Sequence, residues 1–169
     1  KLKKYNTPDT IQDLLSSSLN NWSNFGDINS SLSGVESMPS RFENIKSIQE
    51  VFAYCYFDSE QTDEKFEKLL ANDNINYSRY NFFHANYLIS KGKMKKAKNI
   101  LKSSLSLYPE NLILNQLQTN LNKNQKTNKF DCKKINHVIA EIFYIVASTL
   151  SSQSNYPASN FYLNLAKYL

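Results

Sequence analysis

The segment from Tyr80 to Asn111 constrains the fold of this chain more than any other. Two runs of residues with apolar side chains at helical spacing meet at residues 91–93, and Pro109 follows the second run. Proline ends that helix because it has no backbone N–H and disfavours helix in the residue before it. Two antiparallel helices joined by so short a turn can touch only where small side chains face each other. Ala85 and Ala97 supply one such side chain on each helix, so the segment predicts a helical hairpin.

Three further positions complete the hairpin and give it a family resemblance. Gly92 supplies a turn residue that tolerates a positive φ, while Leu88 and Leu101 fill the space beside the alanine contact. In this spacing the segment resembles one tetratricopeptide repeat, although Asn81 stands where the family prefers a bulky aromatic residue and His84 replaces a usual leucine. The positions that carry the resemblance are Ala85, Leu88, Gly92, Ala97, Leu101, Ser104 and Pro109.

Repeats of this family are about 34 residues long and bury their apolar faces against neighbouring repeats, so the pattern has to recur. It recurs most clearly near the end of the chain, where Ala147, Ser159 and Ala166 reproduce the offsets of 12 and 7 residues found in the first segment. The resemblance implies an all-α fold, a right-handed solenoid of about five antiparallel helical hairpins in one domain over residues 1–169. The expected hairpins span residues 8–39, 42–72, 78–110, 111–134 and 136–169, and the fourth is degenerate.

Composition and the first residue further restrict the class of protein to which this chain can belong. With 3 Gly and 4 Pro among 169 residues, the chain lacks the turn residues of a loop-rich β fold. Cys55 and Cys132 are too far apart in sequence for a metal-type pair, and we expect two free thiols.

We find no apolar window of about 18 residues and no signal peptide, and therefore expect no membrane span. Because Lys1 stands in place of a start methionine, we expect a segment of a larger bacterial repeat protein, in the cytoplasm or the periplasm.

The sequence offers no set of residues arranged for catalysis. His84 and His137 are the only histidines, and there is no HxxxH, CxxC, glycine-rich phosphate loop or G-x-S-x-G pattern. We expect no enzymatic activity in these residues, no cofactor and no metal site. Since His84 precedes Ala85 on the first helix of the hairpin, we expect its ring to be packed or hydrogen-bonded.

Six lysines around the turn and along the second helix are the strongest charge feature of a chain whose formal net charge is +5. The expected role is a solvated outer face, and the alternative is a docking patch for an acidic protein, a lipid headgroup or a nucleic acid. Proteins that bind single-stranded RNA combine rows of basic side chains with aromatic side chains on which the bases stack. No aromatic side chain is interleaved with this run of lysines. We therefore do not expect nucleic acid as the partner. The run consists of Lys91, Lys93, Lys95, Lys96, Lys98 and Lys102.

The resemblance also implies a binding surface, because the family binds peptides on a concave face lined by first helices. Large aromatic residues that face a groove can anchor a peptide, which gives Phe82 and Tyr144 this role, although both could instead pack between repeats. Asn86 stands where some members carry an asparagine that clamps a C-terminal carboxylate, but Phe82 replaces the lysine of that clamp. The groove candidates are Arg79, Phe82, Asn86 and Ile89 on one helix and Glu141, Tyr144, Ser148 and Ser151 on another.

The function that the resemblance implies is non-catalytic. We expect a scaffold that holds a peptide or protein segment in its groove, with a protein as the partner. One alternative is an accessory repeat domain of a larger enzyme, such as a glycosyltransferase or a protease. Another alternative is a helical repeat that binds RNA, a hypothesis based on the net charge and the lysine run.

Overall fold

A computed structural model describes residues 8–24, 26–72, 75–123, 125 and 130–169 of the chain. These residues form nine α-helices and one 3₁₀ turn (Ser40–Phe42) and contain no β-strand, which confirms the all-α class. Contacts between the helices divide the chain into two compact units. Unit 1 comprises the chain up to Phe57 together with Cys132–Leu169, and unit 2 is the intervening segment Asp58–Asp131.

The nine helices that the described residues form are distributed between the two units. Those of unit 1 are α1 (Asp9–Asn24), α2 (Ile28–Glu36), α3 (Glu43–Tyr56), α8 (Ile135–Ser152) and α9 (Tyr156–Tyr168). Those of unit 2 are α4 (Thr62–Leu70), α5 (Tyr80–Ser90), α6 (Met94–Leu107) and α7 (Leu112–Asn122). The two helices of the hairpin expected over residues 42–72 therefore belong to different units.

A buried series of hydrogen bonds links α1 to α3 in unit 1. The indole Nε1 of Trp22 donates to Oε1 of Gln49 over 3.1 Å, and Nε2 of Gln49 donates to the hydroxyl of Ser18 over 2.7 Å. All three side chains are buried, and buried polar groups are costly unless they are paired. Because the pairing is directional, it fixes where α1 lies along α3.

The helix α1 also packs against α8, although the whole of unit 2 separates these helices in the chain. In a linear solenoid each repeat contacts only its neighbours, so this contact departs from strict nearest-neighbour packing. The helix α8 packs in turn along α9, where the hydroxyl of Ser159 donates to the carbonyl oxygen of Ala147 over 2.8 Å.

The two cysteines of unit 1 form a disulfide, so the expectation of two free thiols is wrong. Cys55 lies near the end of α3 and Cys132 just before α8, with Cα atoms 5.8 Å apart despite a sequence separation of 77 residues. Sequence distance gave no indication of this pairing, because bonding requires only that the fold bring the two Cα atoms within about 7 Å.

The helix α8 is the one helix in the described part of the chain that is long and apolar enough, by length and composition, to cross a membrane. Our expectation that no apolar window of this length exists is therefore corrected. A third of α8 is buried inside the protein, and core helices of soluble proteins pass the same test. Length and composition alone do not assign this helix to a membrane.

The helices α5, α6 and α7 of unit 2 share one apolar core. Phe82 and Ile89 of α5 pack against it while remaining partly exposed. The turn between α5 and α6 contains Gly92 at φ 73°, a left-handed conformation that side chains with a Cβ rarely adopt. The core consists of Ala85, Leu88, Ala97, Leu101, Leu114 and Leu117.

Candidate functional site

The groove candidates on α5 face the interior of unit 2 more than solvent. The side chain of Asn86 is only 2 % exposed, and its Nδ2 donates to the carbonyl oxygen of Phe82 over 2.8 Å. Phe82 and Ile89 lie against the α5–α7 core. The Arg79 guanidinium lies 5.3 Å from the centre of the Phe83 ring. The Nδ2 of Asn86 is therefore used within α5, while its Oδ1 is buried without a hydrogen-bond partner among the described residues.

The groove candidates on α8 differ in exposure among themselves. Glu141 is 4 % exposed, Tyr144 is half-buried, and Ser148 and Ser151 are exposed. These residues belong to unit 1, whereas the α5 candidates belong to unit 2. The row on α5 is therefore a feature of unit 2, and the row on α8 is a feature of unit 1.

Three of the six lysines form ion pairs with acidic residues of the same unit. Lys93 Nζ lies 3.0 Å from Oδ2 of Asp63, and Lys96 Nζ lies 2.9 Å from Oδ1 of Asp63. Lys96 also lies 2.8 Å from a carboxylate oxygen of Glu67, and Lys91 is paired with Asp58. These pairs reduce the positive field that the run presents to an anionic partner. The remaining lysines, Lys95, Lys98 and Lys102, are exposed.

The carboxylate of Asp63 joins three helices of unit 2 through a partly buried network. Nε2 of His84 on α5 donates to Oδ1 of Asp63 on α4 over 2.8 Å, while Lys93 and Lys96 reach the same carboxylate from the start of α6. The imidazole ring also stacks on Phe66, with ring centres 4.9 Å apart. His84 is thus both packed and hydrogen-bonded, as the sequence predicted. Asp63 is the member of this network that sequence reasoning missed.

Burial and charge act in opposite directions within this network. Burial lowers the pKa of His84 below its usual 6.5, although Asp63 partly offsets that effect. Burial by itself would raise the pKa of Asp63, but hydrogen bonds from Lys96, His84 and Lys93 together lower it well below the usual 3.8. The carboxylate is therefore ionised and the imidazole neutral, so Nε2 carries the ring proton. The other ring nitrogen, Nδ1, is buried and has no hydrogen-bond partner among the described residues.

A buried Nδ1 cannot reach a substrate, so this network does not form a catalytic base in the described arrangement. Its contacts instead connect α4, α5 and α6 at one position. The part of the chain that the structure describes also contains no group of three or more His, Cys, Asp or Glu side chains that could hold a metal ion.

An open cavity of about 630 Å³ lies along α6 in unit 2, and we call it the trough. One wall follows α6 from Lys96 to Leu107, a distance of about 16 Å at the helical rise of about 1.5 Å per residue. The α6 wall consists of Lys96, Asn99, Ile100, Ser103, Ser104 and Leu107. The remaining lining residues are Leu70, Asn72, Ile75, Asn76, Tyr77, Ser78, Asn81 and Tyr108.

Amide and hydroxyl groups dominate the lining of the trough. Asn99 and Ser103 are exposed one helical turn apart on α6, and Asn81 lines the trough from the start of α5. None of the described lining residues carries a carboxylate, and the single lysine, Lys96, is already paired with Asp63 and Glu67. The site therefore presents paired hydrogen-bond donors and acceptors with little net charge. Sequence reasoning missed it, although residues 96, 99, 103 and 107 recur at helical spacing on one face.

The chain was compared with known protein families, proteins and structures. No protein-family model matches the chain, and neither a curated protein nor a solved structure matches it.

Proposed function

We propose that this chain is a non-catalytic scaffold of helical hairpins that binds an extended segment of a partner protein. The trough along α6 is the observation that carries this proposal. Its volume of about 630 Å³ lies within the range of protein cavities that hold ligands, roughly 300–1,000 Å³.

The dimensions and chemistry of the trough favour a peptide main chain as the ligand. An extended peptide rises about 3.3 Å per residue, so a wall of about 16 Å matches roughly five residues. An asparagine amide offers one donor and one acceptor side by side, which complements the N–H and C=O of a peptide unit. Asn99 on α6 and Asn81 on α5 both line the trough and provide such groups, and Ile100 and Leu107 add apolar contact.

Charge supports the same ligand class. Nucleic acid binding depends on lysines that are free to neutralise phosphates. Lys96 in the trough is instead neutralised by Asp63 and Glu67, so the trough is better suited to a neutral backbone than to a polyanion.

A tetratricopeptide-like repeat remains part of the proposal. The small-residue contact between Ala85 and Ala97, the glycine turn, and the packing of α7 on α5 and α6 support it for residues 78–122. We further propose that the remaining hairpins are related repeats. In unit 1 their arrangement departs from a linear solenoid, because α1 contacts α8.

Display selection followed by affinity measurement tests the function. Random nine-residue peptides are selected on the immobilised chain, and selected peptides are then titrated in solution by fluorescence anisotropy. Ser103→Tyr fills the trough from an exposed position, and Ser106→Tyr makes the same change at an exposed position of α6 outside the lining. We expect Ser103→Tyr to weaken binding at least tenfold and Ser106→Tyr to leave it unchanged.

Three results would contradict this assignment. Equal binding by both variants would place the peptide site outside the trough. Loss of binding with Tyr144→Ala alone would move it to the row on α8. A selection that yields no binding peptide would argue against a peptide-binding scaffold altogether.

A further inference from the structure

The disulfide lies where the chain enters and leaves unit 2. Cys55 stands three residues before Asp58, the first residue of unit 2, and Cys132 directly follows Asp131, the last one. Both cysteines belong to unit 1. The 74 residues of Asp58–Asp131 are thus an insertion whose two flanking points are covalently joined.

Unit 1 depends on this junction because it is built from two separate parts of the chain. Its first part carries α1, α2 and α3, and its second part carries α8 and α9. Bringing the two parts together closes a loop over the whole of unit 2, and loop closure costs conformational entropy. The packing of α1 on α8 offsets part of this entropic cost. The disulfide removes most of it, because the two parts of the chain stay joined in the unfolded state.

The sulfur atoms are sheltered in the folded protein. Cys55 is 1 % exposed and Cys132 is 7 % exposed. Exchange with a thiol requires direct attack on one of the two sulfurs, so burial protects the bond from reductants once the chain has folded. A buried, protected disulfide that closes a long loop is typical of a structural bond and not of a redox-active pair.

We propose that the Cys55–Cys132 disulfide fastens the two parts of unit 1 at the points of the chain that flank unit 2, and that the chain acquires its fold in an oxidising compartment. Structural disulfides form and persist in such compartments and are rare in a reducing cytosol. The oxidant is a disulfide of the compartment's oxidising machinery. Two exchange steps form the Cys55–Cys132 bond, break the oxidant's S–S bond and leave it as two thiols, so the chain loses two electrons and two protons.

The single tryptophan of the sequence makes the proposal directly measurable. Trp22 is buried in unit 1, so its fluorescence reports the unfolding of unit 1. The full chain is produced by export to a bacterial periplasm, unfolded in denaturant and alkylated without reductant. We expect the mass to show no alkylated cysteine.

Reduction should then weaken unit 1 selectively. The chain is reduced in denaturant, refolded with reductant present and heated. We expect the Trp22 transition to fall by about 5–15 °C relative to the oxidised chain, given what a long-loop disulfide contributes and how stability converts to melting temperature. Hydrogen exchange of peptides from α5 and α6 should change much less, because those helices lie in unit 2.

A variant without thiols separates the bond from the side chains. Cys55→Ala combined with Cys132→Ala should unfold like the reduced chain and should not respond to reductant. The compartment is tested by making the same chain in the bacterial cytoplasm, where we expect two alkylated cysteines and the lower Trp22 transition. Two alkylated cysteines in the exported chain, or the same Trp22 transition with and without the bond, would overturn the proposal.

Discussion

His84 is the residue at which burial and charge oppose each other most directly. Its ring is 1 % exposed, stacked on Phe66 and bonded to an ionised Asp63 that also accepts from Lys93 and Lys96. A protonated imidazole would gain attraction to Asp63 and Glu67 but would lose its hydration, and the lowered pKa shows that desolvation prevails. The folded protein therefore holds His84 neutral at a pH where an unfolded chain would already bind a proton.

Acid should destabilise the protein in two steps. Because folding lowers the pKa of His84 below 6.5, the stability that this group contributes is complete above that value and is lost as the pH falls below it. Folding lowers the pKa of Asp63 too, so its contribution is lost only as the pH falls below about 3.8. Urea unfolding from pH 7.5 to 5 should show a decline of at most about 1.4 kcal/mol per pH unit for one proton.

Matched histidine variants identify the group responsible. His84→Leu should remove the decline between pH 7.5 and 5, because leucine does not titrate. His137→Gln should retain it, since that change leaves the Asp63 network intact. A decline that persists in His84→Leu would show that another group controls the pH dependence.

At the scale of the element, α6 contributes one face to the apolar core of unit 2 and an adjacent face to the trough. One face carries Ala97 and Leu101 into the core shared with α5 and α7, and the adjacent face forms a wall of the trough with Asn99 and Ser103. The core contact fixes α6 as a rigid support, so the side chains of the trough are held by a helix and not by a loop.

The alanine contact between α5 and α6 tolerates no added charge. Ala97 is fully buried, so Ala97→Glu would place a carboxylate in a tight helix contact and should cost a few kcal/mol of unfolding free energy. Ser103→Glu adds the same charge at an exposed position of α6 and should cost much less. Thermal unfolding followed by circular dichroism measures both, and equal melting temperatures would contradict the packing described for α6.

The contact between α1 and α2 depends on the absence of a side chain at Gly34. A Cβ built there would lie 2.8 Å from Cγ of Asn21 on α1. Gly34→Ala should therefore destabilise the protein, even though alanine favours helix over glycine by about 1 kcal/mol. In an Asn21→Ala background the obstruction is gone, and Gly34→Ala should become stabilising by roughly that amount. The urea midpoints of the original protein, the two single variants and the double variant give the sign of each step. A stabilising effect of Gly34→Ala in the original background would refute the close contact.

At the scale of the whole molecule, the chain forms a discontinuous unit with a continuous one inserted into it. A loop of 77 residues closed by a disulfide corresponds to about 4.5 kcal/mol in the chain-entropy treatment, a large part of the 5–15 kcal/mol that stabilises a typical protein. Unit 2 instead relies on contacts within one continuous segment, including the Asp63 network, whose hydrogen bonds span at most 33 residues. The two units are therefore expected to respond differently to reductant.

Much of the local structure could be predicted from the sequence. The apolar spacing indicated the helices and the all-α class, and the position of the turn at Gly92 followed from its conformational freedom. The candidate sites were less predictable. Periodicity identifies which side of a helix is apolar but not which helix covers it, so Asn86 and Glu141 were expected in a groove and are buried.

The sequence by itself determined the helices and the packing of α5 on α6, because a period of 3.6 residues, a small residue or a turn glycine acts over a few positions of the chain. Only the tertiary structure decided the Cys55–Cys132 bond, the union of Asp63 with His84 and Lys96, and the trough. These features join residues 21 to 77 positions apart or side chains from separate elements. Such pairings depend on how helices pack in three dimensions, and a local pattern of residue types does not encode which faces meet.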